Sequence, residues 1–341
     1  MTAACILGCA DKALSADERA FFRDVRPWGF ILFARNIDDA DQTRALIDSL
    51  REAADDENAL VFVDQEGARV QRLKPPLARL RRPAELFGAL YARDPQAALE
   101  AVRLNHRLIA EELRALGFDA DCVPCLDIRV PETHQVIGDR SFGEDPNVIA
   151  ALGRAALDGV LAGGVAPVLK HIPGHGRAMA DSHLELPVVQ TPLQVLEATD
   201  FAPFRALADA PMAMTAHVVF TAVDPDVCVT LSHRAINTVI RGHIGFDGLL
   251  MTDDLSMKAL GGSFEERTRR SLEAGCDMVL HCNGDMAEMQ AIASATPRLS
   301  GRPGERAALA RSVARRTQPF DAAAAEAHLD SLGLAGRTAA A

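Results

Sequence analysis

The stretch LKHIPGHGRAMADSHLELP (169–187) places Lys170, His171, His175, Asp181 and His183 in one connection. Pro173, Gly174 and Gly176 keep regular structure out of it, so it reads as a long loop of the kind that serves as an active-site lid. Only four of the 36 basic residues are lysines, which makes Lys170 a specific choice of cation. Two chemistries fit these residue types. In one, His171, His175 and His183 join Asp181 and Asp253 as donors of a hydrolytic metal centre. In the other, Asp181 orients and charges His183, and that imidazole transfers protons. A merely solvated polar loop ranks third, because it does not call for three histidines and an aspartate so close together.

Three more segments carry candidate chemistry. VFVDQEGARVQRL (61–73) delivers Asp64 and Glu66 beside Arg69 and Arg72, acceptors and planar donors suited to a polyhydroxylated ligand. Alone, it equally describes a turn with surface ion pairs. LLMTDDLSM (249–257) presents Asp253 and Asp254 at the end of an apolar run. Neighbours on a strand point to opposite faces, so one is expected in a pocket. Asp253, the first to emerge, is assigned there, and Asp254 is left to fix the loop. In VIGDRSFGEDP (136–146), Arg140 clamps a hydroxyl or carboxylate, or else holds its own loop together. Cys122-x-x-Cys125 has the spacing of half a zinc site, but no second pair stands near it. Packing in a core strand is the better reading.

These residues need a scaffold that brings distant segments together. Apolar runs recur at 4–8, 29–33, 59–63, 122–128, 165–170, 211–218, 248–254 and 276–282, each bounded by Gly, Pro or acidic residues. They read as buried parallel strands. Helical patterns lie between or beside them at 15–25, 39–54, 95–116, 146–162, 192–208, 232–241, 263–274 and 285–295. Several open with Ser15, Asp94-Pro95, Asp145-Pro146, Thr191-Pro192 or Ser232 as start signals. Eight strands alternating with eight helices predict a single-domain α/β fold, a (β/α)8 TIM-type barrel, with an open doubly wound sheet as the alternative. The barrel spans 1–300, and 301–341 forms a short C-terminal helical tail packed on it. A barrel gathers function at the C-terminal ends of its strands. Asp64, Asp127, Lys170-His171, His217, Asp253-Asp254, His281 and Asn283 fall there.

Composition narrows the function. The chain has 341 residues, 48% hydrophobic and 24% charged, with a formal charge of −11. It has the mix of a globular protein, without the clustered cations that a nucleic-acid partner needs. No apolar run approaches the roughly 20 residues of a membrane span. Seven cysteines are too few, and odd in number, for a disulfide framework, which together with the N-terminus predicts a cytoplasmic protein. Trp28 and Tyr91 are the sole residues of their kinds. Any sugar must therefore be held by hydrogen bonds and charge, not by stacked rings.

Taken together, VDQEGARVQRL, VIGDRSFGEDP, KHIPGHGRAMADSH, MTAHV and TDDLSM, with GFILFARNI near the start, resemble family 3 glycoside hydrolases. The similarity is greatest to their short bacterial β-N-acetylglucosaminidases and runs from about residue 6 to 285. Ala68 stands where a second glycine is usual, and Arg177-Ala-Met-Ala fills the stretch before Asp181.

The resemblance implies a barrel that removes terminal, non-reducing β-linked N-acetylglucosamine with retention and needs no metal; the chain is expected to act as a monomer without a cofactor. It implies Asp253 as nucleophile, His183 as general acid/base and Asp181 as the partner of His183. Asp64, Arg72, Arg140, Lys170 and His171 would bind the sugar. The substrates it implies are muropeptides such as GlcNAc-anhydro-MurNAc, cleaved in the cytoplasm during peptidoglycan recycling. Many two-domain relatives supply the acid/base from a second domain, for which this chain is too short, so a barrel loop is expected to supply the proton. Anionic Asp181 and Asp253 favour a protonated His183, and that support weakens once Asp253 becomes a neutral glycosyl ester. A metal-dependent hydrolase and a non-catalytic sugar-binding barrel are the alternatives.

Overall fold

The computed structural model describes residues 2–130, 136–182 and 184–338. Seven of the eight apolar runs overlap strands, and the fourth, 122–128, follows directly on one that ends before it: β1 (Ala3–Leu7), β2 (Pro27–Ile31), β3 (Leu60–Val63), β4 (Ala120–Asp121), β5 (Ala166–Ile172), β6 (Met212–Thr215), β7 (Leu249–Asp254) and β8 (Met278–His281). Each pairs in parallel with its neighbour in chain order, and β8 returns to β1, closing the barrel. This is the (β/α)8 fold, and not the open sheet.

The two-residue period of a strand sorts the core into layers. Ala4 and Ile6 of β1 meet Trp28, Phe62, Met212 and Met278 inside the barrel. Ala3, Cys5 and Leu7 of the same strand join the layer under the helices. Both faces are apolar because both are covered, which is why the strands read as continuous runs. β4 is short because Pro124 has no N–H to donate to a ladder. The chain beyond it still follows β5, with Leu126 N–H donating to the Lys170 carbonyl at 2.7 Å and Lys170 N–H to the Pro124 carbonyl at 3.1 Å.

Four of the five predicted helix starts hold; Thr191 does not cap, and the helix after it begins at Leu193 behind Pro192 with no side-chain cap. Ser15 Oγ accepts from the Glu18 amide at 3.1 Å while Glu18 returns a carboxylate to the Ser15 amide at 2.8 Å, a reciprocal cap. Asp94 and Asp145 accept from the amides of Ala97 and Asn147 ahead of helices Pro95–Ala115 and Pro146–Ala162. Three readings need revision. The segment 192–208 is two short helices, Leu193–Ala198 and Ala202–Ala206, broken where Pro203 cannot donate. The segment 232–241 forms a π-helix, Ala235–His243. A hairpin of Gln65–Gly67 and Val70–Gln71 and a helix, Ala84–Tyr91, follow β3 without having been foreseen.

After the barrel come helices Gly301–Val313 and Ala322–Ser331. The first sets Ala307 and Ala310 against Ala4, Trp28 and Leu60 at the N-terminal mouth of the barrel. Among the described residues, no helix is long and apolar enough to cross a membrane.

Candidate active site

At the C-terminal ends of the strands lies a cavity of about 430 Å³. Asp64 after β3, Lys170 and His171 within β5, and Asp253 at the end of β7 all line it. Arg72, Arg140 and Asp181 reach it from loops. Seven of the eight residues singled out for catalysis or sugar binding therefore share one cavity; the eighth, His183, lies outside the described residues. Ile31, Phe33, Met214, Met257 and Leu280 supply the apolar part of the lining.

The charged side chains form an alternating ladder. Arg72 Nη2 contacts Asp64 Oδ2 at 2.9 Å, and Lys170 Nζ contacts Asp64 Oδ1 at 2.8 Å. Lys170 also reaches Glu66 Oε1 at 2.6 Å, and Arg140 grips both Glu66 oxygens at 2.8 Å each. Burial alone would raise the Asp64 and Glu66 carboxyls, but the adjoining cations outweigh it. Asp64 is held well below the usual carboxylate range and Glu66 falls to about 2. Burial works against the Lys170 charge, and the same two carboxylates reverse that and raise its ammonium further. The ladder stays ionised at neutral pH. Two of the three ammonium hydrogens of Lys170 serve it, leaving one for the cavity.

Glu66 is thus the hub that its sequence segment did not reveal. The signal was its spacing, since residues two apart on a strand-like path share a face, here with Asp64. Arg140 borders the cavity as expected, but its fork is engaged by Glu66 and by the Val136 carbonyl at 3.2 Å. It therefore holds the loop together as well as facing the cavity.

Below His171, Asp127 collects four donors. His171 Nδ1 lies 2.6 Å and Cys125 Sγ 3.3 Å from Oδ2, while the amides of His175 and His171 reach Oδ1 at 2.7 and 3.3 Å. Burial disfavours the Asp127 charge, yet the imidazole of His171 outweighs it and keeps the carboxyl well below its usual range. The Nδ1 contact directs the other ring nitrogen of His171 to the cavity. Cys125, Asp127 and His171 bring donor atoms within 4.8 Å of one another, the one such trio among the described residues. It differs from the histidine set expected for a metal centre. His175 Nε2 is engaged by Ser182 Oγ at 2.9 Å, and burial lowers its pKa to about 4, so the ring is neutral.

At β7 both aspartates border the cavity, against the expectation that only one would. The strict alternation fails because the register with β8 shifts between Met251 and Asp254. Their hydrogen bonds still separate them. Asp254 accepts from the amides of Ser256 and Cys282 at 3.0 and 3.1 Å and from Ser256 Oγ at 2.5 Å, the loop-fixing role expected of it. Asp253 Oδ1 accepts from the Asp254 amide at 2.8 Å. His217 lies beneath, between Thr230 Oγ1 at 2.7 Å and the Asp254 carbonyl at 3.1 Å. His281 turns to Glu288 at 2.8 Å. Neither lines the cavity.

The ladder and the acidic strand ends lie at the mouth of the closed parallel barrel where (β/α)8 enzymes carry their active sites. Residues 7–315 match the glycosyl hydrolase family 3 N terminal domain, and the chain belongs to that family of glycoside hydrolases. A β-hexosaminidase of Xanthomonas campestris pv. campestris is 37% identical over 331 residues, covering 96% of this chain and 97% of the relative. The structure of NagZ from Neisseria gonorrhoeae in complex with N-trifluoroacetyl-D-glucosamine is similar at a TM-score of 0.84 and 31% identity, covering 98% of this chain and 95% of the other. A family 3 β-N-acetylglucosaminidase from a Paenibacillus species gives 0.83 and 31%, covering 95% of this chain and 66% of its own.

Proposed function

We propose that this glycoside hydrolase is a retaining exo-β-N-acetylglucosaminidase. The observation that carries the reading is one cavity holding Asp253 at the end of β7, Asp181 from the β5 loop and the Asp64–Lys170–Arg72 array. Relatives named β-hexosaminidase and β-N-acetylglucosaminidase at 31–37% identity support the specificity. Asp64, Arg72, Lys170 and His171 present acceptors and donors to sugar hydroxyls, and Arg140 steadies them through Glu66.

In the first step the Asp253 carboxylate attacks the anomeric carbon. His183, oriented by Asp181, gives its proton to the glycosidic oxygen, and the aglycone leaves as an alcohol. In the second step water attacks the same carbon, His183 takes the water's proton, and Asp253 departs with the bonding pair. Two inversions give retention. We place the physiological reaction on muropeptides such as GlcNAc-anhydro-MurNAc during cell-wall recycling in the cytoplasm, by a monomer whose barrel (1–300) carries the chemistry.

The test is hydrolysis of aryl β-N-acetylglucosaminide against aryl β-glucoside, with and without a chelator. Preference for the N-acetylated substrate, unchanged by chelator, is expected; preference for the plain glucoside contradicts the reading. His183→Ala should slow substrates with poor leaving groups by about a hundredfold or more and activated aryl substrates far less. Equal losses would remove His183 as the acid.

A further inference from the structure

The hairpin that carries Arg69 and leads into Arg72 is held from behind by the C-terminal end of the chain. Glu326 Oε1 lies 2.8 Å from Arg81 Nη1 and 3.4 Å from Arg79 Nε. Arg81 is buried and also pairs with Glu112 of helix Pro95–Ala115. Leu80 and Arg337 exchange backbone hydrogen bonds at 2.8 and 2.9 Å, and Arg82 Nε donates to the Ala335 carbonyl at 3.2 Å. The strip 79–82, gripped in this way, grips the hairpin in turn. Arg81 N–H donates to Gln71 Oε1 at 3.0 Å, Gln71 Nε2 to the Arg79 carbonyl at 2.6 Å, and Ala68 N–H to the Arg81 carbonyl at 3.0 Å. Gln65 Oε1 then accepts from the amides of Arg72 and Leu73, both at 3.0 Å.

Two glycines mark the closest approaches. A Cβ on Gly67 would sit 2.8 Å from the Arg82 carbonyl oxygen, and one on Gly336 would sit 2.9 Å from both Arg79 Cβ and Arg81 Nη1. The layers leave no room for a methyl group. We propose that the segment 326–337, which lies beyond the residues matched by the family model, is a brace that positions the substrate-binding hairpin 65–71 and, through it, Arg72 and Asp64. Its residues touch no substrate; they are positioning residues. The inference rests on the proposed role of Asp64 and Arg72 in holding the sugar.

Two variants separate the brace from simple stability. Glu326→Gln keeps the shape and removes one of the two charges opposite Arg81, leaving Glu112; Gly336→Ala wedges the far end of the segment away from Arg79. Hydrogen exchange of the peptide 64–73 should quicken in each, while exchange across β5 and β7 stays unchanged. With an aryl β-N-acetylglucosaminide, KM should rise about fivefold while kcat stays within about twofold. Wild-type exchange in 64–73 in both variants overturns the brace, as does a fall in kcat at unchanged KM. If Glu326→Gln does not fold, Gly336→Ala decides alone. Arg72→Ala is the control for the underlying reading: if it leaves KM unchanged, the sugar-binding role of Arg72 fails, while the exchange result still judges the brace.

Discussion

Asp253 and Asp254 are adjacent in sequence, yet the donors around them divide their work. Asp254 is tied to Ser256 and Cys282, and those bonds fix the strand end from which Asp253 reaches the cavity. A third aspartate follows a different rule. Asp121, at the end of β4, is fully buried, accepts from the Gln65 amide at 2.9 Å through Oδ1, and has no partner for Oδ2 among the described residues. Burial pushes its pKa from 3.8 to about 8, with Asp64 and Glu66 adding to the rise and the Gln65 amide and Lys170 opposing it. Its proton is held more tightly in the folded chain than in the unfolded one. The stability it contributes is therefore complete below pH 3.8 and is lost as pH climbs through about 8. Asp121→Asn, a permanent mimic of the protonated form, should gain on the wild type steadily across that interval. Urea unfolding at a series of pH values checks this, and a difference independent of pH would contradict it.

At the scale of elements, the long loop after β5 is pinned by a break in the helical segment that follows. Asp200 sits between helices Leu193–Ala198 and Ala202–Ala206 and receives Arg177 Nε at 2.7 Å and Thr199 Oγ1 at 2.7 Å. A Cβ on Gly174 would lie 3.1 Å from Asp200 Cβ, and Gly174 has φ +144°, so that turn tolerates little else. Arg177→Ala should loosen the loop that carries Asp181 and lower kcat/KM roughly tenfold, about 1.4 kcal/mol, with the barrel still folded by circular dichroism. Unchanged kinetics would show that the loop is anchored elsewhere. The strands and the caps at Ser15, Asp94 and Asp145 were legible because they rest on local rules: apolar runs, side-chain oxygens and fixed proline φ. The hairpin 65–71 was not, since its outer bonds run to Arg79 and Arg81, eight and ten residues from Gln71 across a stretch without a helix or strand pattern of its own. Glu66 escaped for a related reason. Its spacing sets it on the face of Asp64, but its partners Lys170 and Arg140 meet it only when the barrel closes, and the segment 61–73 does not name them.

Over the whole molecule, the net charge of −11 says little about the site, because the cavity sets its own balance of three cations on Asp64 and Glu66. The more telling charges lie at the opposite mouth. Arg306 meets Asp277 at 2.9 Å and Asp247 at 2.6 Å, Arg311 meets Asp56 at 3.0 Å, and Arg315 meets Asp119 at 2.8 Å. These aspartates precede β8, β7, β3 and β4, so one helical tail ties together the starts of four strands. Asp119 is buried and also takes Arg51 at 2.7 Å and the Val61 amide at 3.0 Å. Asp119→Ala would remove the carboxylate that Arg51, Arg315 and the buried Val61 amide share and should cost about 2 kcal/mol in urea unfolding; a loss under about 0.5 kcal/mol, the range of an ordinary surface change, would mean that the tail is merely laid on the barrel. In the proposed mechanism the chemistry at the other mouth rests on Asp253, and the most direct test is to trap it. Incubation with a 5-fluoro N-acetylglucosaminyl donor, followed by peptide mass spectrometry, should find one sugar attached to Asp253 and released on turnover. A product of inverted configuration, or a sugar on any other residue, would contradict a retaining mechanism through Asp253.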